Sequence, residues 1–416
     1  MMLKVTYYYS ACVTIETPDI RILCDPWFTE GAFDGSWYQY PKLESPVKTI
    51  GKCDVVYISH IHPDHYDREF LREYLATYPD SKVVIGAYPL NFLSLRMTRD
   101  LIPHIPITEE LFGETRIHII ADPSQNAINS ALAVSHGGQC VLNLNDCQFI
   151  PEHMDEIVAV CAAPEIALIA YTGAGPYPQA FEMPEHERIL KATEKKQQFF
   201  AQYTRVQAAV HPKVTIPFAG KYVLGGKLHR LNRHRGVADA VEVTEFDPTA
   251  VVLADGGHAS IDTTTLVPTA IRTERYPDSA IDAYALTTAE RSMDFERILG
   301  DLPMADLPLE RLLGKAYRNA ISRSESETDH YFCVDLTPNG WFVGNTNKNR
   351  PFFKIYESVT DLTPRTEITI DLRYLFGLVT TLFHWNNAEV GSQLWVRRVP
   401  DVYDRPARRF ANFFHV

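Results

Sequence analysis

Short apolar runs separated by polar turns dominate the first half of the chain. Residues 3–8, 12–16 and 20–24 are alternating or continuously apolar, a pattern typical of short strands that form a meander. Farther along, apolar runs alternate with segments of helical spacing, such as the one from Arg68 to Leu75. This alternation predicts an α/β fold in which two sheets form a sandwich with helices on the outside.

The final part of the chain follows a different pattern. Apolar segments there are predicted as strands at 331–335, 340–343, 352–356, 367–371 and 394–398. A helix is predicted before the last of them, at about 372–383, which makes this part a small α+β unit. The chain is therefore expected to divide into a large first domain, a helical connector and a C-terminal domain: residues 1–270, 271–310 and 311–416.

Two segments rich in aromatic and polar residues lie outside these elements. The first, residues 29–47, has the length of a functional loop, and Trp37 makes it a candidate substrate lid. The second, from His384 to Asn387, follows the predicted C-terminal helix. Its polar side chains could cap that helix or reach a cleft of the molecule, and we favour the capping role.

One apolar strand ends in a cluster of metal-binding side chains. The run from Val55 to Ile58 is followed by His60, His62, Asp64 and His65. Two histidines offset by two residues can direct their rings at one cation, and the next two side chains point to a neighbouring position. Imidazole and carboxylate groups are ligands that borderline divalent metals prefer. The spacing predicts a metal site, because a chance cluster is improbable with 15 histidines in 416 residues.

Composition narrows the classes of function. The net charge of −12 and the pI of about 5.7 argue against a nucleic acid as partner. No apolar run reaches the ~18 residues of a membrane span, and the N-terminus alternates like a strand, so a cytoplasmic protein is expected. A basic cluster that includes Lys221, Lys227 and Arg230 is either a solvated surface or a site that captures an anionic small-molecule substrate.

The seven cysteines are scattered, odd in number and free of any Cys-x-x-Cys pair. Several lie in apolar strand patterns, so we predict buried free thiols in a reducing compartment. The sequence also has no pair of Cys-x-His elements of the kind that binds a Rieske iron–sulfur cluster.

Several motifs resemble those of one protein family. The spacing His-x-His-x-Asp-His at 60–65 resembles the signature of the metallo-β-lactamase superfamily, and segments 22–28 and 142–147 are similar to segments of the same superfamily. Segment 216–222, Ile-Pro-Phe-Ala-Gly-Lys-Tyr, resembles the CMP-N-acetylneuraminate hydroxylase branch, which is grouped with L-ascorbate-6-phosphate lactonases. The resemblance covers roughly residues 1–235 and implies a metallo-β-lactamase αββα sandwich.

The resemblance implies a centre of two divalent metal ions. His60 and His62 would hold the first ion, Asp64 and His65 the second, and Asp146 would bridge the two. A bridging carboxylate reduces the repulsion between two neighbouring cations.

Other residues are expected to support this centre. Asp25 is expected to orient a ligand histidine through the ring N–H that faces away from the metal. The superfamily places further histidines at two positions where this sequence departs from the pattern. Gln125 stands at the first, and His229 is the substitute ligand that we expect for the second. Trp37 and Tyr222 are expected to contact the substrate together with the basic cluster.

Three classes of function follow, in this order of preference. The first is a metal-dependent hydrolase in which metal-bound hydroxide attacks an ester, lactone, amide or phosphoester of an anionic small molecule. The second is an iron-dependent, di-iron monooxygenase that takes electrons from an external reductase, since a ligand set with fewer nitrogens and more oxygens suits iron or manganese somewhat better than zinc. The third is a metal-supported binding protein without catalysis. The sequence leaves a homo-oligomer open.

Overall fold

The computed structural model describes residues 3–122, 129–147, 149–303 and 307–416. Its strands, numbered in chain order, are β1 (Lys4–Tyr9), β2 (Cys12–Glu16), β3 (Arg21–Cys24), β4 (Trp37–Tyr38), β5 (Val55–Ile58), β6 (Lys82–Gly86), β7 (Ile105–Ile107), β8 (Glu109–Phe112), β9 (Thr115–Ala121), β10 (Ser130–His136), β11 (Gln139–Asn143), β12 (Ile166–Ala170), β13 (Val214–Phe218), β14 (Val223–Leu224), β15 (Ala259–Asp262), β16 (Tyr331–Asp335), β17 (Trp341–Asn345), β18 (Phe353–Tyr356), β19 (Arg365–Thr369) and β20 (Trp395–Val399).

The helices are α1 (Ala32–Gly35), α2 (Pro46–Ile50), α3 (Arg68–Thr77), α4 (Phe92–Arg99), α5 (Met154–Val160), α6 (Glu185–Val210), α7 (Asp278–Thr287), α8 (Asp294–Leu299), α9 (Leu309–Ser324), α10 (Leu372–Val379), α11 (Trp385–Val390) and α12 (Arg405–Asn412). Short 3₁₀ segments occur at Pro151–His153, Gly226–Asn232 and Ala240–Glu245. Among the residues described, no helix combines the length and apolar character needed to cross a membrane.

Two mixed sheets face each other in the N-terminal part. One has the strand order β15-β1-β2-β3-β5-β6-β7 and the other β13-β12-β11-β10-β9-β8. Apolar side chains from both sheets, including Val13, Leu132 and Ile216, form the core between them. Helices α3 and α4 cover the outer face of the first sheet, and α5 and α6 cover that of the second. The predicted αββα sandwich is confirmed.

Strand β5 is apolar at every position because both of its faces are covered. Successive side chains of a strand point to opposite faces. Val55 and Tyr57 therefore enter the core between the sheets, whereas Val56 and Ile58 pack beneath the helices. The strand that delivers the histidine cluster is thus held from both sides.

The C-terminal part has a sheet of its own, with the order β18-β17-β16-β19-β20. Its strands lie where the apolar segments predicted them. Phe332 of β16, Tyr374 of α10 and Phe410 of α12 share its core. Helix α10 ends at Val379, earlier than predicted, and the chain turns at Thr381 with a φ of 64°. The domain boundaries proposed at residues 270 and 310 stay predictions.

The prediction that all cysteines are free is wrong for one pair. Cys140 on β11 and Cys161 after α5 form a disulfide with a Cα–Cα distance of 6.5 Å. Helix α5 folds back over the second sheet and brings the two residues together, which their separation of 21 residues does not indicate. The remaining cysteines are free and buried as predicted: Cys12, Cys24, Cys53, Cys147 and Cys333.

The prediction of a substrate lid at residues 29–47 is also wrong. Trp37 and Tyr38 form β4, which pairs with β14. The Trp37 ring stacks on that of Tyr222, with 3.6 Å between the ring centroids. These aromatic side chains pack in the cluster on the outer face of the first sheet, so the segment is part of the core.

A contact of Asp34 joins this segment to the C-terminal part. The Tyr374 hydroxyl donates a hydrogen bond to Asp34 Oδ2 at 2.7 Å. Burial raises the pKa of the Asp34 carboxyl to about 6, and the hydrogen bond from Tyr374 opposes that shift only in part. Because the folded protein holds this proton more tightly than the unfolded chain, the Asp34 contribution to stability is largest at low pH and is lost as the pH rises through 6.

We expect Asp34→Asn to become more stable relative to the wild type as the pH rises from 4.5 to 7.5, by up to about 2 kcal/mol. Asparagine keeps an acceptor for Tyr374 and tolerates the φ of 59° at this position. The difference is measured by urea unfolding at each pH. An Asp361→Asn variant at an exposed position serves as the control. A constant difference between Asp34→Asn and the wild type over this range would contradict the prediction.

Candidate metal centre

The histidine loop follows β5 and is closed by its own backbone. The N–H groups of His65 and Tyr66 both donate to the His62 carbonyl oxygen, at 3.0 and 2.8 Å. Asp67 then caps α3 by accepting from the Phe70 N–H at 3.0 Å. Asp67 also accepts from the backbone of Phe28, at 2.8 Å. The loop is therefore fixed between α3 and the segment after β3.

Asp25 lies beneath this loop at the end of β3. Its carboxylate accepts the Ser59 N–H at 2.7 Å and the Ser59 hydroxyl at 2.6 Å. The same carboxylate lies 2.9 Å from His65 Nδ1, and all three residues are buried. Asp25 therefore holds the His65 ring so that Nε2 points away from it.

His60 and His62 face each other. His60 Nε2 lies 2.8 Å from His62 Nδ1, and His60 Nδ1 lies 2.9 Å from the Ser59 hydroxyl oxygen. Burial lowers the pKa of both imidazoles, and the nearby His65 lowers them further. Both rings are therefore neutral, which is the protonation state in which imidazole binds a metal.

Asp64 and Asp146 are close to the remaining nitrogen of His65. His65 Nε2 lies 3.4 Å from Asp146 Oδ2 and 3.6 Å from Asp64 Oδ2. Burial opposes protonation of His65, but Asp146, Asp64 and Asp25 together raise its pKa well above the usual value. Burial raises the pKa of Asp64 to about 7, an effect that Asp146 reinforces and His65 opposes.

Asp146 reaches this position from the second sheet. It follows β11, in a turn where Asn145 has a φ of 47°. The Asn145 side chain donates to the carbonyl oxygen of Ser130 at 3.1 Å, which ties the turn to β10. The side chain of Asp146 is 35% exposed, so the centre is open to solvent on this side.

The donor set fits a divalent metal. His60, His65 and Asp146 each offer a ligand atom, and these atoms lie within 4.8 Å of one another. The two facing nitrogens of His60 and His62 can share only one proton, whereas a cation between them would satisfy both. Neutral imidazoles and carboxylates are ligands for zinc, iron and manganese. The part of each residue in metal binding remains a prediction.

The C-terminal part contributes a residue that the sequence did not assign to the centre. The amide oxygen of Asn386 lies 2.8 Å from His62 Nε2. His384 caps the following helix α11 by accepting from the Asn386 N–H at 3.2 Å, whereas the preceding helix α10, which we expected this segment to cap, ends at Val379 with Thr380 as its cap. The segment 384–387 therefore reaches the centre, which is the alternative that we did not favour. Its aromatic and polar composition was the one local feature of the sequence that indicated a role for this segment at the centre.

His229, one of the two predicted replacement ligands, is not part of this cluster. His229 Nδ1 lies 3.0 Å from the Gly226 carbonyl oxygen of its own 3₁₀ segment, and no contact with the histidine loop is found among the residues described. The prediction of His229 as a ligand is therefore not supported by its contacts. Gln125 lies outside the described residues.

The residues predicted to bind substrate do not form one surface. Lys221 Nζ lies 2.7 Å from Asp255 Oδ2, and the Lys221 side chain is only 16% exposed. Burial lowers the pKa of Lys221 to about 8, against the effect of Asp255. Lys221 is thus a partner in a buried ion pair rather than the exposed anion contact we expected. Lys227 pairs with Glu296 at 3.1 Å, and Arg230 is exposed.

Trp37 and Tyr222 are buried as well. They are 3% and 4% exposed, and Arg235 lies over the Tyr222 ring at 4.5 Å from its centroid. This leaves almost no surface for a substrate to contact. The prediction that these two rings bind the substrate is wrong, because both are buried.

Comparison with known proteins agrees with this fold. Residues 4–164 match the model of a β-lactamase superfamily domain. The N-terminal part of the chain is thus similar to a domain of the β-lactamase superfamily. The matched segment contains β1–β11, the histidine loop and Asp146.

Similar proteins include several much longer ones. A Mycobacterium tuberculosis protein, provisionally named a Rieske 2Fe-2S iron-sulfur protein, is 29% identical over 245 residues, which are 55% of this chain and 46% of that protein. The cytidine monophosphate-N-acetylneuraminic acid hydroxylase of Danio rerio is 23% identical over 235 residues, which are 53% of this chain and 38% of that protein. The chain thus spans less than half the length of these relatives.

Solved structures also resemble the chain. A metallo hydrolase from Ignicoccus hospitalis has a TM-score of 0.40 and 17% identity, and the match covers 63% of this chain and 98% of that one. CmlA, a diiron β-hydroxylase from Streptomyces venezuelae, has a TM-score of 0.39 and 13% identity, over 63% of this chain and 53% of that one.

We expect Asn386→Ala to weaken metal binding by about 10-fold, because the His62 ring would lose the acceptor that orients it. Asn386→Asp keeps an oxygen at the same place and should bind metal at least as well as the wild type. The affinities are measured by competition with a chromogenic chelator. Equal affinity of the alanine variant and the wild type would show that Asn386 does not position His62.

Proposed function

We propose that this protein is a metal-dependent hydrolase that acts on an ester, lactone, amide or phosphoester of a small molecule. The observation that carries the proposal is the convergence of two adjacent donor sets. One is the facing pair of His60 and His62, and the other is His65 with Asp64 and Asp146. Metal ions bound at such a centre supply a nucleophile by lowering the pKa of a coordinated water.

The chain's own residues provide the geometry that this reaction needs. Asp25 and Ser59 hold the rings of His60 and His65, and Asn386 holds that of His62. Because the rings are held, their ligand nitrogens stay directed at the metal position. Hydrogen bonds to the other nitrogen of a ligand histidine raise metal affinity. The partly exposed Asp146 stands where a substrate would enter.

The substrate is proposed to be anionic. Of the three cationic residues considered, Arg230 is exposed and has no ion pair among the residues described. An unpaired guanidinium can hold a carboxylate or phosphate with two parallel hydrogen bonds. Lys227 is half exposed and pairs with Glu296 at the surface, a contact that an anionic substrate could replace.

We expect zinc-loaded protein to contain about two metal ions per chain and to hydrolyse a nitrophenyl ester or phosphodiester. His60→Ala and Asp64→Asn should lose metal and lower hydrolysis by about 100-fold or more, since each removes a proposed ligand. Metal is measured by elemental analysis and hydrolysis by nitrophenolate release. His186→Ala, at an exposed position on α6, is the matched control.

Hydrolysis by His60→Ala at the rate of the wild type would contradict the hydrolase proposal. Retained metal without turnover of any ester or phosphodiester would favour a binding protein instead.

A second candidate, an iron-dependent monooxygenase, is favoured by the relatives. One similar protein is named a hydroxylase and another is provisionally named a Rieske iron-sulfur protein. The proposed ligands are three imidazoles and two carboxylates, a mixed set that iron accepts as readily as zinc does. Such an enzyme would receive electrons from an external donor.

Dioxygen consumption separates the two candidates. If the protein is an oxygenase, the iron-loaded form should consume dioxygen in the presence of ascorbate, and His60→Ala should not. The zinc-loaded protein is the control, because zinc has no redox chemistry. Equal rates for the iron-loaded and zinc-loaded proteins would rule against the oxygenase.

A further inference from the structure

A separate cavity lies in the C-terminal part. It encloses about 660 Å³, including its open mouth. Its walls are mostly apolar and come from β16, β19, β20 and α11: Phe332, Ile368, Trp385, Leu394 and Val396. Apolar walls with a few polar groups are typical of sites for small organic molecules.

The acidic residues that line this cavity already have partners. Glu389 pairs with Arg408, with oxygen–nitrogen distances of 3.0 and 3.1 Å. Asp404 caps α12 by accepting from the Ala407 N–H at 2.7 Å, and it lies 3.5 Å from His330 Nδ1. Neither carboxylate is therefore free to receive a cationic ligand.

The remaining charged side chain that lines the cavity is that of Arg398. Its side chain is 18% exposed and forms an ion pair with Asp401, with 3.8 Å between the nitrogen and oxygen atoms. Within the described part of the chain, its guanidinium donates no hydrogen bond, and it lies 4.5 Å from the ring centroid of Phe181. Burial lowers the pKa of Arg398, and Asp401 opposes that shift.

The Arg398 guanidinium keeps some contact with water and pairs with Asp401, but it has no hydrogen-bond acceptor among the described residues. Each N–H that is removed from water without an acceptor costs free energy, and a planar carboxylate can accept two of them in parallel. The apolar walls beside Arg398 would in turn bury a hydrocarbon group that is joined to such a carboxylate. The cavity thus suits a ligand that has a carboxylate at one end and a hydrocarbon group at the other.

We propose that this cavity binds a small carboxylate with an apolar body, whose carboxylate is held by Arg398. The site is distinct from the metal centre and does not rest on the proposed hydrolase activity. The two sites share α11, since Trp385 and Glu389 line the cavity and Asn386 contacts His62.

The proposal is tested with octanoate and its uncharged analogue octanamide, by isothermal titration calorimetry of the full-length protein. Octanoate should bind with one site per chain, and octanamide should bind at least about 10-fold more weakly, because it cannot form the charged pair. Arg398→Gln should weaken octanoate binding by a similar factor and leave octanamide binding nearly unchanged.

Arg397→Gln is the matched control. Arg397 is the neighbour of Arg398 on β20 and is exposed on the other face of the strand, so its loss should not alter octanoate binding. Equal binding of octanoate and octanamide to the wild type would overturn the role of the carboxylate, and this result does not depend on the variant being folded. Absence of octanoate binding, or equal loss in both arginine variants, would overturn the site.

Discussion

The buried carboxylate of Asp25 is the group on which the geometry of the metal centre depends. Strands β3 and β5 are parallel, so Asp25 and Ser59 follow them at the same edge of the sheet. Asp25 accepts two hydrogen bonds from Ser59 and contacts His65, while Ser59 contacts His60. One acid therefore orients two of the proposed ligands. A carboxylate can be buried in this way only because its oxygens are satisfied by hydrogen bonds.

The C-terminal part completes the centre rather than standing apart from it. Asn386 supplies the contact that holds His62, and Tyr374 donates to Asp34 in the segment that follows β3. The proposed ligands follow strands of the two sheets, whereas the hydrogen-bond partner of His62 Nε2 comes from α11. The cavity beside Arg398 lies against the same helix, so a shift of α11 would change the surroundings of both sites.

Local patterns predicted the strands and the histidine cluster well. A strand such as β5 can be predicted because burial on both faces makes every position apolar. The histidine cluster can be predicted because its spacing involves only six neighbouring residues. Features that depend on distant residues were missed. Cys140 and Cys161 meet only after α5 packs on the sheet, and Trp37 is buried only because β4 pairs with β14. Lys221 was misassigned because its partner Asp255 is not visible in the local pattern.

The sequence by itself determined the α/β sandwich, the loop that carries His60 to His65 and the strand that leads to Asp146. These follow from periodicity and spacing, which act over a few residues. Only the tertiary structure decided that Asn386, 324 residues from His62, orients that ring, and that Arg398 lines an apolar cavity. Hydrogen bonds and ion pairs between distant residues depend on how the sheets and helices pack, and local sequence patterns do not predict that packing.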